Sequence, residues 1–120
     1  MADVVIVDSG VANLASITSG LGRLGASVEV TRDPAAVRQA PRVVLPGVGA
    51  FGAGMGALRA HGLDRAITDV AARGTPLLGI CLGMQLLCQA SDETPGVPGL
   101  GVIVWENIFD RRTSVPSASA

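Results

Sequence analysis

Four short apolar runs, separated by stretches of helical period, restrict this chain to a narrow set of folds. Val4–Val7 runs into Asp8 and Gly10, residues 27–31 alternate as a second strand, residues 43–45 run into Pro46 and Gly47, and residues 77–80 run into Cys81. Between the first two runs, Leu14, Ile17, Leu21 and Leu24 recur at helical spacing, with Asn13 placed to cap and Gly25 to end the helix. Asp33 and Pro34 supply an N-cap and a first-turn proline for a helix reaching Gln39. Residues 53–60 read as a further helix, and Leu63, Ile67, Val70 and Ala71 form another helical stripe, closed by Gly74 with Pro76 beyond it. A last helix is expected over residues 82–90. Such alternation predicts an α/β fold, a mostly parallel sheet wrapped by helices.

A length of 120 residues suits one domain, with a sizeable core but little room for a complete α/β enzyme. No apolar run approaches the ~18 residues of a membrane span, and the first ten positions lack the basic start and long apolar stretch of a signal peptide, so a cytoplasmic protein without membrane contact is expected. A net charge of −1 without a basic patch or interleaved aromatics argues against a nucleic-acid partner. Every basic residue is arginine, which excludes a Schiff-base lysine or a phosphate-loop lysine. Cys81 and Cys88, on one helix, would stand about 10 Å apart, too far for a disulfide. His61 and scattered carboxylates make no metal set, and neither metal nor cofactor is expected.

The chemistry concentrates in two glycine-rich junctions. Gly79-Ile80-Cys81-Leu82-Gly83 is the thiol counterpart of the G-x-S-x-G elbow, where a sharp strand-to-helix turn lifts a nucleophile out of the sheet. The glycines remove side chains where backbone approaches backbone, and the Leu82 amide is aimed where an oxyanion would form. Pro46-Gly47-Val48-Gly49-Ala50-Phe51-Gly52 is a loop at the carboxyl end of the third strand. Alone it suits a permissive turn, a phosphate cradle or an oxyanion strand; beside the elbow, the oxyanion reading gains weight. Both loops fall at the sheet edge where ligands of such folds bind. Cys88, between Leu87 and the helix end, reads as packing. His61, followed by Gly62, reads as a helix C-terminal residue rather than a proton carrier. Asn13 suits either a plain N-cap or a subunit contact.

LPGVGAFG (residues 45–52) and GICLGMQLL (residues 79–87) resemble class I glutamine amidotransferases, and among them the glutaminase subunits of imidazole glycerol phosphate synthases. Asp8-Ser9-Gly10-Val11-Ala12-Asn13-Leu14 is similar to that subfamily's DYGxGNL opening, departing at Ser9 and Ala12. The resemblance implies hydrolysis of glutamine to glutamate and ammonia through a thioester on Cys81. It also implies oxyanion amides from Leu82 and from Gly47, Val48 and Gly49, with Gln85 and Gly49 contacting the substrate. The ammonia would pass to a (βα)8-barrel cyclase subunit in a heterodimer serving histidine biosynthesis.

Likeness runs from about Val4 to Ile103, which sets an amidotransferase part at 1–104 and a divergent, disordered tail at 105–120. The family's His-x-Glu pair would lie downstream of the elbow, so a C-terminally truncated domain without its base is expected. Two alternatives stand beside this reading: a non-catalytic docking half-domain, and a glutaminase domain feeding another synthase.

Overall fold

A computed structural model describes residues 2–8, 10, 14–88 and 96–102. The order is β1 (Val4–Val7), α1 (Leu14–Arg23), β2 (Val28–Thr31), α2 (Pro34–Gln39), β3 (Val43–Gly47), α3 (Phe51–Ala60), α4 (Leu63–Ala72), β4 (Leu77–Cys81) and α5 (Leu82–Leu87). All strand pairings are parallel, and the sheet runs β2-β1-β3-β4. That order, with β1 and β3 adjacent at the centre, is the doubly wound arrangement whose switch point lies between those two strands.

Strand alternation divides the core in two. Val5, Val7, Val43 and Leu45 face α2, α3, α4 and α5, with Val37, Phe51, Met55, Leu58, Leu63, Ile67 and Leu86 filling the space. Val4, Ile6 and Val44 face the other way, toward Leu14, Ile17 and Leu21 of α1. The first layer is thick and apolar. The second is thin: α1 buries none of its own residues completely.

Local chemistry explains most element ends. Gly25 and Gly74 take positive φ values of 88° and 83° just past α1 and α4. After α4 the Thr75 amide reaches back to the Val70 carbonyl at 3.0 Å, and the Gly74 amide bonds Ala71, closing orphan carbonyls in the usual left-handed C-terminal turn. Asp33 caps α2 as expected, its carboxylate accepting from the Ala35 amide at 3.0 Å. Replacing Asp33 with alanine is expected to cost about 1 kcal/mol in a thermal or urea melt, the ordinary loss of a helix cap.

Several boundaries differ from the sequence expectation. β2 begins at Val28 rather than Ser27, and α5 ends at Leu87 because Cys88 is extended, with φ −76° and ψ 171°. β3 continues through Pro46 and Gly47, because both pair with β4, opposite Ile80 and Cys81. Pro46 fits there for a physical reason. The register with β1 stops at Ile6 and Val44, so the amide that proline lacks falls where β1 and β3 have already parted. α3 starts at Phe51, two residues before the expected helix, because Phe51 is fully buried and anchors its first turn.

Residues 96–100 and Gly101 are irregular rather than extended, with Leu100 and Gly101 bonding back to Leu86 and Cys88 at the end of α5. Residues 101–104, an apolar stretch whose sequence suits one more strand, are not extended at Gly101 and Val102, while residues 103–104 lie outside the described residues. The Asn13 cap, the Ser9 and Ala12 positions and the 105–120 tail lie there too. No helix of the described residues is long and apolar enough to cross a membrane.

Candidate active site

The site begins with a conformation that an L-residue adopts at a cost. Cys81 has φ 55° and ψ −124°, and among the described residues it is the one non-glycine with positive φ. A strain of this kind persists only where the surroundings impose it, and it clusters at functional positions. Here the surroundings are two glycines. A Cβ on Gly79 would stand 2.7 Å from the Met84 Cα and 2.8 Å from its nitrogen, so the returning helix lies directly on the strand that precedes it. A Cβ on Gly83 would stand 1.7 Å from the Leu45 carbonyl oxygen, so the first turn of α5 rests on the backbone of β3. With both ends pinned by backbone contact, the chain has to reverse within Ile80-Cys81-Leu82. Cys81 takes the turn, and its side chain stays exposed.

The second junction comes alongside through strand pairing. Gly47 is opposite Cys81 in the β3–β4 register, and a Cβ on it would lie 3.2 Å from the Leu82 Cβ and 3.3 Å from the Gly83 nitrogen. Gly47 is buried, whereas Val48 and Gly49 are exposed and Gly49 holds φ 98°. Gln85 and Met84, one turn into α5, are exposed as well. The structure thus gathers Gly47, Val48, Gly49, Cys81, Leu82 and Gln85 at one carboxyl edge of the sheet. Leu82 itself is buried, so only its backbone can take part in chemistry there.

Gly54 belongs to this support and was not read from the sequence. A Cβ there would meet Leu82 and Leu86 methyl carbons at 3.1 Å, so α3 and α5 touch through its bare backbone. The signal was present in the glycine spacing of α3, which a helix of that length does not otherwise favour.

His61 stands elsewhere. It caps the C-terminus of α3, seven residues beyond Gly54, about 10 Å along the helix axis, and its neighbour Gly62 abuts Pro34 at the start of α2. Cys88 is half-buried at the end of α5, its sulfur 3.5 Å from the Met84 carbonyl, and burial pushes its thiol pKa above the ordinary range. At the end of β1, Asp8 accepts from the Gly10 amide at 2.8 Å and pairs with Arg32 at 3.3 Å, which ties down the loop entrance on the β2 side. Among the described residues no group of histidine, cysteine, aspartate or glutamate is arranged to hold a metal ion.

A parallel sheet of order β2-β1-β3-β4 with a cysteine elbow at the end of β4 and a glycine loop beside it defines an α/β protein of the nucleophile-elbow kind. The family model for glutamine amidotransferase class-I matches residues 5–111, and the chain belongs to that family. It is similar to imidazole glycerol phosphate synthase subunit HisH of Symbiobacterium thermophilum, 54% identical over 103 residues covering 86% of this chain and 49% of that protein. The subunit of the same name from Moorella thermoacetica is 51% identical over 106 residues, covering 88% of this chain and 50% of the relative. The chain therefore spans about half the length of the curated relatives it matches. Among solved structures, a glutamine amidotransferase crystal structure superposes with a TM-score of 0.73 at 22% identity, covering 84% of this chain and 53% of the other. A putative peptidase E from Listeria monocytogenes superposes with a TM-score of 0.66 at 15% identity, a likeness of fold alone.

Proposed function

We propose that this chain carries the nucleophile half of a glutaminase, as part of the ammonia-producing subunit of imidazole glycerol phosphate synthase. The observation that supports it most is Cys81 itself: an exposed thiol held at positive φ, with Gly47 opposite it in the sheet. The identity to HisH subunits over most of this chain supports the particular synthase.

In this reading the Cys81 sulfur attacks the side-chain amide carbon of glutamine, and the amide oxygen becomes an oxyanion. The Leu82 amide and an amide from Gly47, Val48 or Gly49 donate to it, each such donor being worth about 3 to 4 kcal/mol of transition-state stabilisation. Collapse breaks the carbon–nitrogen bond. Ammonia leaves with the proton that the thiol gave up, and a glutamyl thioester remains on Cys81. Water then adds to the thioester, releasing glutamate and restoring the thiol. Gln85 and Gly49, both exposed, are assigned to glutamine binding on the resemblance of their motifs to the family's.

The chemistry needs a group that takes the thiol proton and returns it to nitrogen. The sequence holds one histidine, His61, and its position past the end of α3 assigns it no part in this transfer. The base is therefore assigned to a group beyond these 120 residues, and the receiver of ammonia to a (βα)8-barrel cyclase subunit in the cytoplasm.

A glutamine-analogue electrophile, a diazoketone of the same chain length, tests the reading without requiring turnover. The expected result is a single adduct on Cys81 by peptide mass spectrometry, slowed by free glutamine. Half-buried Cys88 serves as the internal control. Labelling of both thiols at similar rates, or labelling of Cys81 that glutamine does not slow, would overturn the assignment.

A further inference from the structure

α1 and α4 are followed by glycines in the left-handed region, Gly25 and Gly74, the ordinary way a helix satisfies its last carbonyls. α5 closes differently. Cys88 after it is extended, so the chain does not curl back directly onto the helix end. The amides come from farther along: Leu100 donates to the Leu86 carbonyl at 2.9 Å and Gly101 to the Cys88 carbonyl at 3.1 Å. The same segment is tied to α3, where the Arg59 guanidinium donates to the Pro98 carbonyl at 2.8 Å. Residues 98–101 thus cross from the last turn of α3 to the end of α5, with Leu100 packed on the core beneath.

Gly99 stands in the middle of that crossing. It is not among the glycines with positive φ, so space rather than backbone conformation calls for glycine there. A Cβ on it would lie 2.0 Å from the Cys88 carbonyl oxygen and 3.1 Å from the Phe51 Cζ. Both contacts lead to the site. Cys88 ends the helix that begins at Leu82, and Phe51 opens α3 two positions after Gly49. We propose that residues 98–101 form a strap that fixes the spacing between the elbow helix α5 and the Gly47–Gly49 loop, with Gly99 as its positioning residue.

The coupling is mechanical. α5 is six residues long and rests on β3 at Gly83, against the Leu45 carbonyl, so a push at Cys88 tips the helix about that contact. Leu82 and Gln85 then shift against the loop. Restoring ordinary van der Waals separation from 2.0 Å displaces one partner by more than about 1 Å. Groups that act together on a substrate need placement within about 0.5 Å, and a misplacement of about 1 Å from a remote change can cost about a hundredfold. The consequence for glutamine chemistry rests on the glutaminase reading; the strap itself does not.

Two measurements on the 120-residue chain separate these. The glutamine-analogue diazoketone has to be seated as glutamine is, whereas iodoacetamide needs only a reachable thiol. Gly99→Ala is expected to slow labelling of Cys81 by the diazoketone about tenfold or more and by iodoacetamide less than about twofold, a split that general loosening of the fold would not give. Hydrogen exchange read by peptide mass spectrometry reports the strap directly: faster exchange is expected over residues 47–51 and 82–88, with β1 and β2 unchanged. Arg59→Met, at an exposed position, removes the bond to Pro98 and should move both readouts the same way by a smaller factor. It decides the matter if Gly99→Ala fails to fold. Gly56→Ala, with open space around it, should slow neither reagent. Equal slowing of both reagents, no slowing of the diazoketone, or unchanged exchange over 47–51 and 82–88 would each overturn the strap. If free glutamine does not slow labelling of the unaltered chain, the glutaminase reading fails and exchange alone decides the strap.

Discussion

Gly83→Ala is expected to destabilise the chain by more than about 3 kcal/mol, at or beyond the upper end of ordinary overpacking costs. The added methyl would occupy space 1.7 Å from the Leu45 carbonyl oxygen and 2.6 Å from its carbon. Neither atom belongs to a flexible side chain, so relief requires α5 to lift from β3 or β3 to leave its central place in the sheet. Leu82, Leu86 and Leu87 would lose their burial along the way. A thermal melt followed by far-UV circular dichroism should show a midpoint lowered by about 10 °C or more, or no cooperative transition at all. Gly56→Ala gives the contrast. That position is exposed on α3 with nothing within 4 Å of an added methyl, so the same substitution should stabilise by about 0.5 to 1 kcal/mol, through helix propensity alone. Equal melting shifts for the two variants would contradict the close approach of α5 to β3.

Glutamine turnover by the 120-residue chain is expected to fall about a million-fold below that of a full-length relative measured beside it, the scale of loss when a catalytic triad is deprived of its imidazole. The nucleophile and its oxyanion donors would still be in place, and these account for the residual rate. Cys81→Ala should lower that residual rate to what the oxyanion donors alone sustain, whereas His61→Ala should change it less than about twofold, because a residue remote from the elbow gives nothing to the transition state. A steady-state assay for glutamate measures all three proteins. Full turnover by the unaltered chain would place a working base within these residues and contradict the assignment of the proton carrier. A large loss in His61→Ala would identify that base.

The parts of the fold legible in sequence were those set by local periodicity. β1, α2 and α4 were anticipated because apolar spacing, the Asp33 cap and the Gly74 stop all act within a few residues. The misread positions were decided by partners far along the chain. Pro46 and Gly47 look like loop residues in isolation, and they become strand because Ile80 and Cys81 pair with them. Phe51 and Gly52 sit among glycines, and they become helix because Phe51 fills the core beneath α5. The apolar composition of β4 suits an interior strand, yet among the described residues it is paired on one side only, with Leu78 half in solvent. At the site, the two glycine motifs announced their junctions clearly. The glycines were expected where backbone approaches backbone, and they stand there; their partners were not legible, since the 2.7 Å approach to Met84 and the 1.7 Å approach to Leu45 exist only after folding.

Cys81 ends the strand that carries a single ladder among the described residues, and this has a consequence for local stability. Among the described residues, β1 and β3 are bonded on both sides, whereas β4 is bonded to β3 alone. Opening β4 breaks one ladder and exposes side chains already half in solvent, so the strand that bears the sulfur belongs to the low-energy end of the molecule's local unfolding spectrum. Cys81 is fixed in dihedral terms, yet the ladder that holds its strand among the described residues is a single one. Any chain segment or ligand that engages β4 only in its folded state adds its binding free energy to the order of the elbow.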